Sequence, residues 1–310
     1  MTERIRILIA DDGSDPARWI GDDLVQAGLP EILDALVLSV ADVWLPPPVP
    51  SEGELAVPVT PLAIERAQAA AKQKVSEMEL TAARSAERLQ KVFPHWHLTS
   101  EAFADSPGWG ILKRAAEWRA DLIVVAAAGR TGLGRLNMGS VSRQVVAEAT
   151  CSVRVVRPPL AHRRPSPCLV IGLDGSEDAD LAMRRVAERP WPTGTEAHLV
   201  IAIDEKVITG IFHPAPSLAR WLEKTDDQPL QWVDRMLAAH QAFLTAAGLT
   251  VTIHREDGDP KSLLLQVAQR VGATSLFVGA RGHRLIERIL IGSVSSSILT
   301  RAECSVEVVR

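Results

Sequence analysis

Between Gly279 and Ser295 the chain runs Gly-Ala-Arg-Gly-His-Arg-Leu-Ile-Glu-Arg-Ile-Leu-Ile-Gly-Ser-Val-Ser, residue types and a spacing suited to holding a phosphate. Glycine lets an anion come close to the backbone. An apolar run, Ser275 to Val278, precedes the stretch and reads as a buried strand. A helix opening on Gly292-Ser293, with its body at Ser296 to Arg301, follows it. Ser293, Val294 and Ser295 would then offer the first helical N–H groups, at the positive end of the helix dipole. Ser293 and Ser295 add hydroxyls. No convincing general base or nucleophile stands beside the loop, so the chemistry indicated is binding rather than turnover.

Other residue sets offer less. His95 and His97 alternate and would share one face of a strand, but no third ligand is in view, and an edge-strand surface pair is expected. His283 follows Gly282 and is read as an exposed loop histidine, with contact to phosphate as the alternative. Cysteines 151, 168 and 304 match no zinc spacing and are expected to be reduced, buried thiols. There is no Gly-x-x-x-x-Gly-Lys-Ser/Thr loop and no Gly-x-Ser-x-Gly elbow. A net charge of −4 gives no electrostatic case for nucleic acid as a partner. No segment has the length of a membrane span or a signal peptide, so a cytoplasmic protein is expected.

The elements that must position the glycine loop occur twice. Thr150-Cys151-Ser152-Val153-Arg154-Val155-Val156-Arg157 is echoed by Glu303-Cys304-Ser305-Val306-Glu307-Val308-Val309-Arg310, and Gly139-Ser140-Val141-Ser142 by Gly292-Ser293-Val294-Ser295, both at an offset of 153. Ungapped, residues 107–157 and 260–310 share 19 identities in 51 positions. The chain is therefore two copies of one unit, 1–157 and 168–310, with a proline-rich basic connector at 158–167 read as solvated.

Within each copy, near-continuous apolar strands alternate with helical patterns, which argues for a parallel sheet covered on both faces. In the first copy the strands fall at Arg4 to Ala10, Ala35 to Val43, His97 to Phe103, Asp121 to Ala127 and Cys151 to Val156. In such sheets ligands sit beyond the carboxyl ends of the strands. Asp12 and Asp174, each closing a first strand, would meet the glycine loops there. Arg154 and Glu307 hold the same position in the two last strands, which suits antiparallel pairing between the copies. On that reading a charge swap at both positions leaves folding intact. Trp44, Trp221 and Trp232 lie in or near long segments after the second strands, where indoles either pack insertions onto the body or form lids.

The spacing Gly279-x-x-Gly282, nine residues, then Gly292-Ser293 resembles the nucleotide-binding signature of the universal stress protein family. Asp174-Gly175-Ser176 and Gly258-Asp259-Pro260 are similar to two further motifs of that family. The resemblance spans essentially the whole chain, twice. It implies two tandem α/β domains of the adenine nucleotide alpha hydrolase-like type, each a five-stranded parallel sheet of order 3-2-1-4-5 flanked by helices. It also implies an internal pseudo-dimer through the last strands, with a homodimer of chains as a further level.

In the family's nucleotide-binding branch the ligand is ATP with a divalent cation, here Mg. Carried over, Asp174 would meet the nucleoside, Gly279 and Gly282 would line ribose and phosphates, and Gly292, Ser293, Val294 and Ser295 would hold the phosphates. The first copy keeps Asp12, Gly129, Gly139, Ser140 and Ser142, but Ala126 replaces the first glycine and Gly21, Gly28 and Pro30 interrupt its first helix. The expected function is a regulatory, stress-associated ATP binder. A weak ATPase on the same scaffold and a nucleotide-free interaction module are the alternatives.

Overall fold

A computed structural model describes residues 4–43, 61–127, 138–158, 164–203, 229–282 and 291–310. The first unit contains β1 (Arg6–Ala10), α1 (Trp19–Leu24), β2 (Asp34–Ala41), α2 (Pro61–Val92), β3 (His97–Ala104), α3 (Pro107–Trp118), β4 (Leu122–Ala126), α4 (Ser140–Glu148) and β5 (Ser152–Val156). The second contains β6 (Cys168–Leu173), α5 (Glu177–Ala187), β7 (Glu196–Ile203), α6 (Pro229–Ala246), β8 (Thr250–Asp257), α7 (Pro260–Val271), β9 (Ser275–Gly279), α8 (Ser293–Arg301) and β10 (Ser305–Val309).

All ten strands form one sheet of order β3-β2-β1-β4-β5-β10-β9-β6-β7-β8. Each half is parallel with the order 3-2-1-4-5, and the halves join where β10 runs antiparallel to β5. The central strands β5, β6, β9 and β10 are buried along their whole length, whereas the edge strands β3 and β8 carry His, Glu, Thr, Arg and Asp. Polar edges of this kind discourage pairing with further strands. Helices cover both faces. Among the described residues no helix is long and apolar enough to cross a membrane.

The seam between the halves holds the retained repeat residues. Arg157 donates from its amide to the Ser305 hydroxyl, and Arg310 donates from its amide to the Ser152 hydroxyl. The two guanidinium groups reach across in the same reciprocal way, Arg157 to the Leu299 carbonyl of α8 and Arg310 to the Val146 carbonyl of α4 at 2.6 Å. Those contacts give a physical reason for the repeated Cys-Ser-Val-x-Val-Val-Arg.

Arg154 lies directly opposite Glu307, as the pattern indicated. Both are essentially buried, and neither is a simple surface pair. Arg154 Nε and Nη2 grip Asp23 at 2.6 and 3.0 Å, and Nη2 also donates to Ser275 Oγ at 2.8 Å. Glu307 in turn accepts from Arg189, which also donates to the Ala27 carbonyl. The order Asp23–Arg154–Glu307–Arg189 alternates in sign across the seam. The expectation for a charge swap is therefore corrected: it would face glutamate with Asp23 and arginine with Arg189 in a buried site.

The interrupted first helix belongs to the same seam. α1 ends after six residues, and the chain beyond it packs on the second unit. Gly28 takes φ +63°, and a Cβ there would lie 2.6 Å from the Trp191 indole. The described end of the connector is tied to the body, because Arg164 holds Glu196 at 2.8 Å and also donates to the Val271 carbonyl.

Candidate functional site

In both units the chain leaves the first strand through an Asx turn, with Ser14 N–H donating to Asp12 at 2.9 Å and Ser176 N–H to Asp174 at 3.0 Å. Gly13 and Gly175 sit between at φ +76° and +79°, a region that side chains other than glycine enter at a cost. Both aspartates are exposed at the carboxyl end of the sheet. The indole of Trp232 on α6 lies against Gly175 and packs on the core of the second unit, which is the body-packing role. Trp44 and Trp221 fall outside the described residues.

The glycine loop meets the aspartate. A Cβ on Gly282 would stand 2.6 Å from Asp174 Oδ2, and one on Gly292 would stand 3.6 Å from the Gly282 nitrogen. Gly292 is the N-cap of α8 and Gly139 the N-cap of α4, with extended backbone and no side-chain cap in either helix. Ser293 and Ser140 are exposed at the first helical position, while Val294 is half-buried behind Ser293. Among the described residues the first amides of both helices thus have no capping side chain of their own. Gly129 and His283 lie outside the described residues.

Three of the expected contact residues are engaged within the protein itself. Ser295 and Ser142 are buried, and their hydroxyls donate to the carbonyls of Gly279 and Ala126 at 2.7 Å in each case. A hydroxyl has one proton, so these serines tie helix to strand and have none left for phosphate. Gly279 is buried at the end of β9, where a Cβ would come within 2.6 Å of the Asp178 backbone carbon and 2.8 Å of the Ala179 nitrogen. Its role is to let the first turn of α5 cross the strand. Ala126 has a methyl in the same place, and it packs against a core that holds Ala17 of the 3-10 turn Pro16–Arg18 together with Ile20 and Leu24 of α1.

The first unit holds a cavity of about 450 Å³ at this position. Asp12, Gly139, Ser140 and Ser142 line it, as do Ala126 and the apolar side chains of Val40, Met78 and Ile111. Lys74 of α2 and Asp42 beyond β2 also line it, and nothing in their spacing marked them. The packing of α2 beside the sheet brings Lys74 there, and Asp42 directly follows the carboxyl end of β2. Arg88 of the same helix holds the buried Asp11 carboxylate at 3.3 Å.

His95 and Trp96 belong to the turn before β3 rather than to the strand, so the two imidazoles do not share a strand face. Trp96 is buried, stacks on Phe93 and donates to the Pro30 carbonyl at 3.1 Å. Asp259 caps α7, accepting from the amide and hydroxyl of Ser262 at 3.0 and 2.8 Å. Those bonds, the hydroxyl's foremost, hold its carboxyl below the usual carboxylate range. Burial pushes the thiols of Cys151 and Cys168 up to about 11 and that of Cys304 to about 12, so all three remain protonated near neutral pH.

The sequence matches the profile of the universal stress protein family over residues 4–157 and again over 169–310. A universal stress protein of Staphylococcus haemolyticus is 26% identical over 144 residues, 46% of this chain and 83% of that protein. One of Staphylococcus aureus is 28% identical over 146 residues, 46% of this chain and 82% of that protein. A solved universal stress protein from Archaeoglobus fulgidus covers 98% of each chain with a TM-score of 0.67 at 18% identity, a likeness of fold. A profile matched twice, once by each half of the sheet, settles the grouping: the chain belongs to the universal stress protein family, in a tandem arrangement.

Proposed function

We propose that this protein binds adenine nucleotide, ATP with magnesium, as a regulatory stress-response protein rather than as a turnover enzyme. The observation that carries the reading is the meeting of two opposite chemistries at the carboxyl end of each half-sheet. A carboxylate accepts hydrogen bonds and repels phosphate, so Asp12 and Asp174 suit the hydroxyls of a nucleoside. The helix starts at Gly139-Ser140 and Gly292-Ser293 suit the anionic end. A ligand with donors at one end and negative charge at the other fits both.

The first unit adds volume, since about 450 Å³ falls within the roughly 300–1,000 Å³ of small-molecule sites. Lys74 on its wall supplies a cation for phosphate. Asp42 is a hard oxygen donor of the kind magnesium takes. The adenine itself rests on the family resemblance. Ser293 and Ser140 are the serines assigned to phosphate, while Ser295 and Ser142 support the strand ends.

Gly292→Asp and Gly139→Asp test the reading. Each puts a carboxylate at the N-cap, which keeps or improves helix capping by a few tenths of a kcal/mol. The same carboxylate repels phosphate. Calorimetric titration with Mg·ATP is expected to give saturable binding in the parent chain and at least about tenfold weaker binding in the double variant. No heat in the parent chain, or unchanged binding in a folded double variant, contradicts it.

A further inference from the structure

At the opposite end of the second half-sheet, Cys168 and Glu196 are the first residues of β6 and β7 and stand side by side in register. His198 is two residues further along β7, hence on the same face as Glu196. The thiol sulfur, a carboxylate oxygen and an imidazole nitrogen of these three all lie within 4.8 Å of one another. Cys168 is 0% and His198 8% exposed, whereas the Glu196 side chain is 41% exposed and opens the cluster to solvent. His198 Nε2 is buried with no hydrogen-bond partner among the described residues, and stands 3.7 Å from Glu196 Oε2.

From this geometry we infer a transition-metal site of the zinc class, ligated by Cys168 Sγ, His198 Nε2 and a Glu196 oxygen, with water in the fourth position. A thiolate, an imidazole and a carboxylate form a set that zinc and cobalt accept and that the oxygen-seeking magnesium and calcium do not. Tetrahedral ligands stand roughly 3.3–3.8 Å apart, so the three side chains need to draw together by at most about 1.5 Å.

A second layer orients the imidazole. His198 Nδ1 is 3.0 Å from His254 Nε2, and His254 Nδ1 is 3.2 Å from Arg270, which also holds Glu256 at 2.9 Å. Partner groups of this kind fix ligand orientation in metal sites.

On ligation the Cys168 thiol gives its proton to solvent. Arg270 donates to His254 Nδ1 in the metal-free protein, which places the His254 proton on Nε2 and the His198 proton on its Nε2. That second proton is conserved within the pair by a tautomer shift. His198 Nδ1–H then donates to His254 Nε2, His254 Nδ1 carries a proton, and Arg270 turns wholly to Glu256. Arg164, 2.8 Å from Glu196, opposes the metal as a competing cation. The fold does not demand the set, because the matching register positions of the first unit are Arg6, Asp34 and Leu36.

The test is titration of the reduced, chelator-treated full chain with Co²⁺ alone, followed by displacement with Zn²⁺. One cobalt per chain, with a near-ultraviolet thiolate-to-cobalt charge-transfer band, is expected. The band should survive Cys151→Ser and Cys304→Ser and vanish in Cys168→Ser. His254→Ala should weaken binding about tenfold, and Arg164→Gln should strengthen it. Glu196→Gln, at the exposed edge, serves as the second ligand variant if Cys168→Ser fails to fold, and should weaken binding. Absence of the band in the parent chain, its survival in folded Cys168→Ser, or unchanged affinity in Glu196→Gln overturns the assignment.

Discussion

At the scale of single residues, the glycines and serines of the repeated motif divide their labour. Gly292 and Gly139 present helix amides, whereas Gly279 makes room for α5 and Ser295 and Ser142 bond strand-end carbonyls. Gly279→Ala forces a methyl against the Asp178 backbone and should cost about 1–3 kcal/mol. Ala126→Gly, in the unit that already accommodates the methyl, should cost no more than about 1 kcal/mol. Urea unfolding of both variants checks the asymmetry. Asp259→Ala should cost about 1 kcal/mol near neutral pH through loss of the α7 cap. The carboxyl of Asp259 is held below its unfolded value, so its contribution is present above that value and fades as pH falls through the folded one. The gap in urea midpoint between parent and variant should therefore narrow in acid. The helix starts at Gly139-Ser140 and Gly292-Ser293 were legible because the repeated spacing carries them. The direction of each serine hydroxyl was not, since it depends on which face of α4 or α8 meets the sheet.

At the scale of elements, strands were read to within a few residues because buried parallel strands are continuous apolar runs. The first helix was recognised as irregular, but its cause lies in the second unit, where Trp191 and Arg189 meet Gly28 and Ala27. Pairing of Arg154 with Glu307 was legible from the two-residue period. Their further partners, Asp23 and Arg189, come from other elements and left no mark in the spacing. This has an energetic consequence. Swapping Arg154→Glu together with Glu307→Arg should destabilise the chain by more than about 3 kcal/mol, because each new charge is buried against its like. A double variant as stable as the parent in urea would contradict the alternating network. The Cys168, Glu196 and His198 cluster escaped notice for the same reason, being assembled by register between strands 28 residues apart at their starts.

At the scale of the whole molecule, the tandem repeat produces one sheet of two parallel halves with a single shared seam. The seam is reciprocal where Arg157 and Arg310 clasp each other's last helix, and asymmetric where Arg154 meets Glu307. Pairing either half with a copy of itself in the same register would bury arginine against arginine or glutamate against glutamate. The charge pattern thus favours the intrachain arrangement. The two ends share the aspartate turn and the Gly-Ser helix start, and differ where the second has Gly279 and the first Ala126.

The most direct measurement is to denature freshly purified protein and identify the released small molecules by mass spectrometry. An adenine nucleotide at one or more equivalents per chain, lost in the Gly139→Asp and Gly292→Asp double variant, is the predicted result. Release of no nucleotide from the parent chain, together with no heat on titration with Mg·ATP, would contradict nucleotide binding.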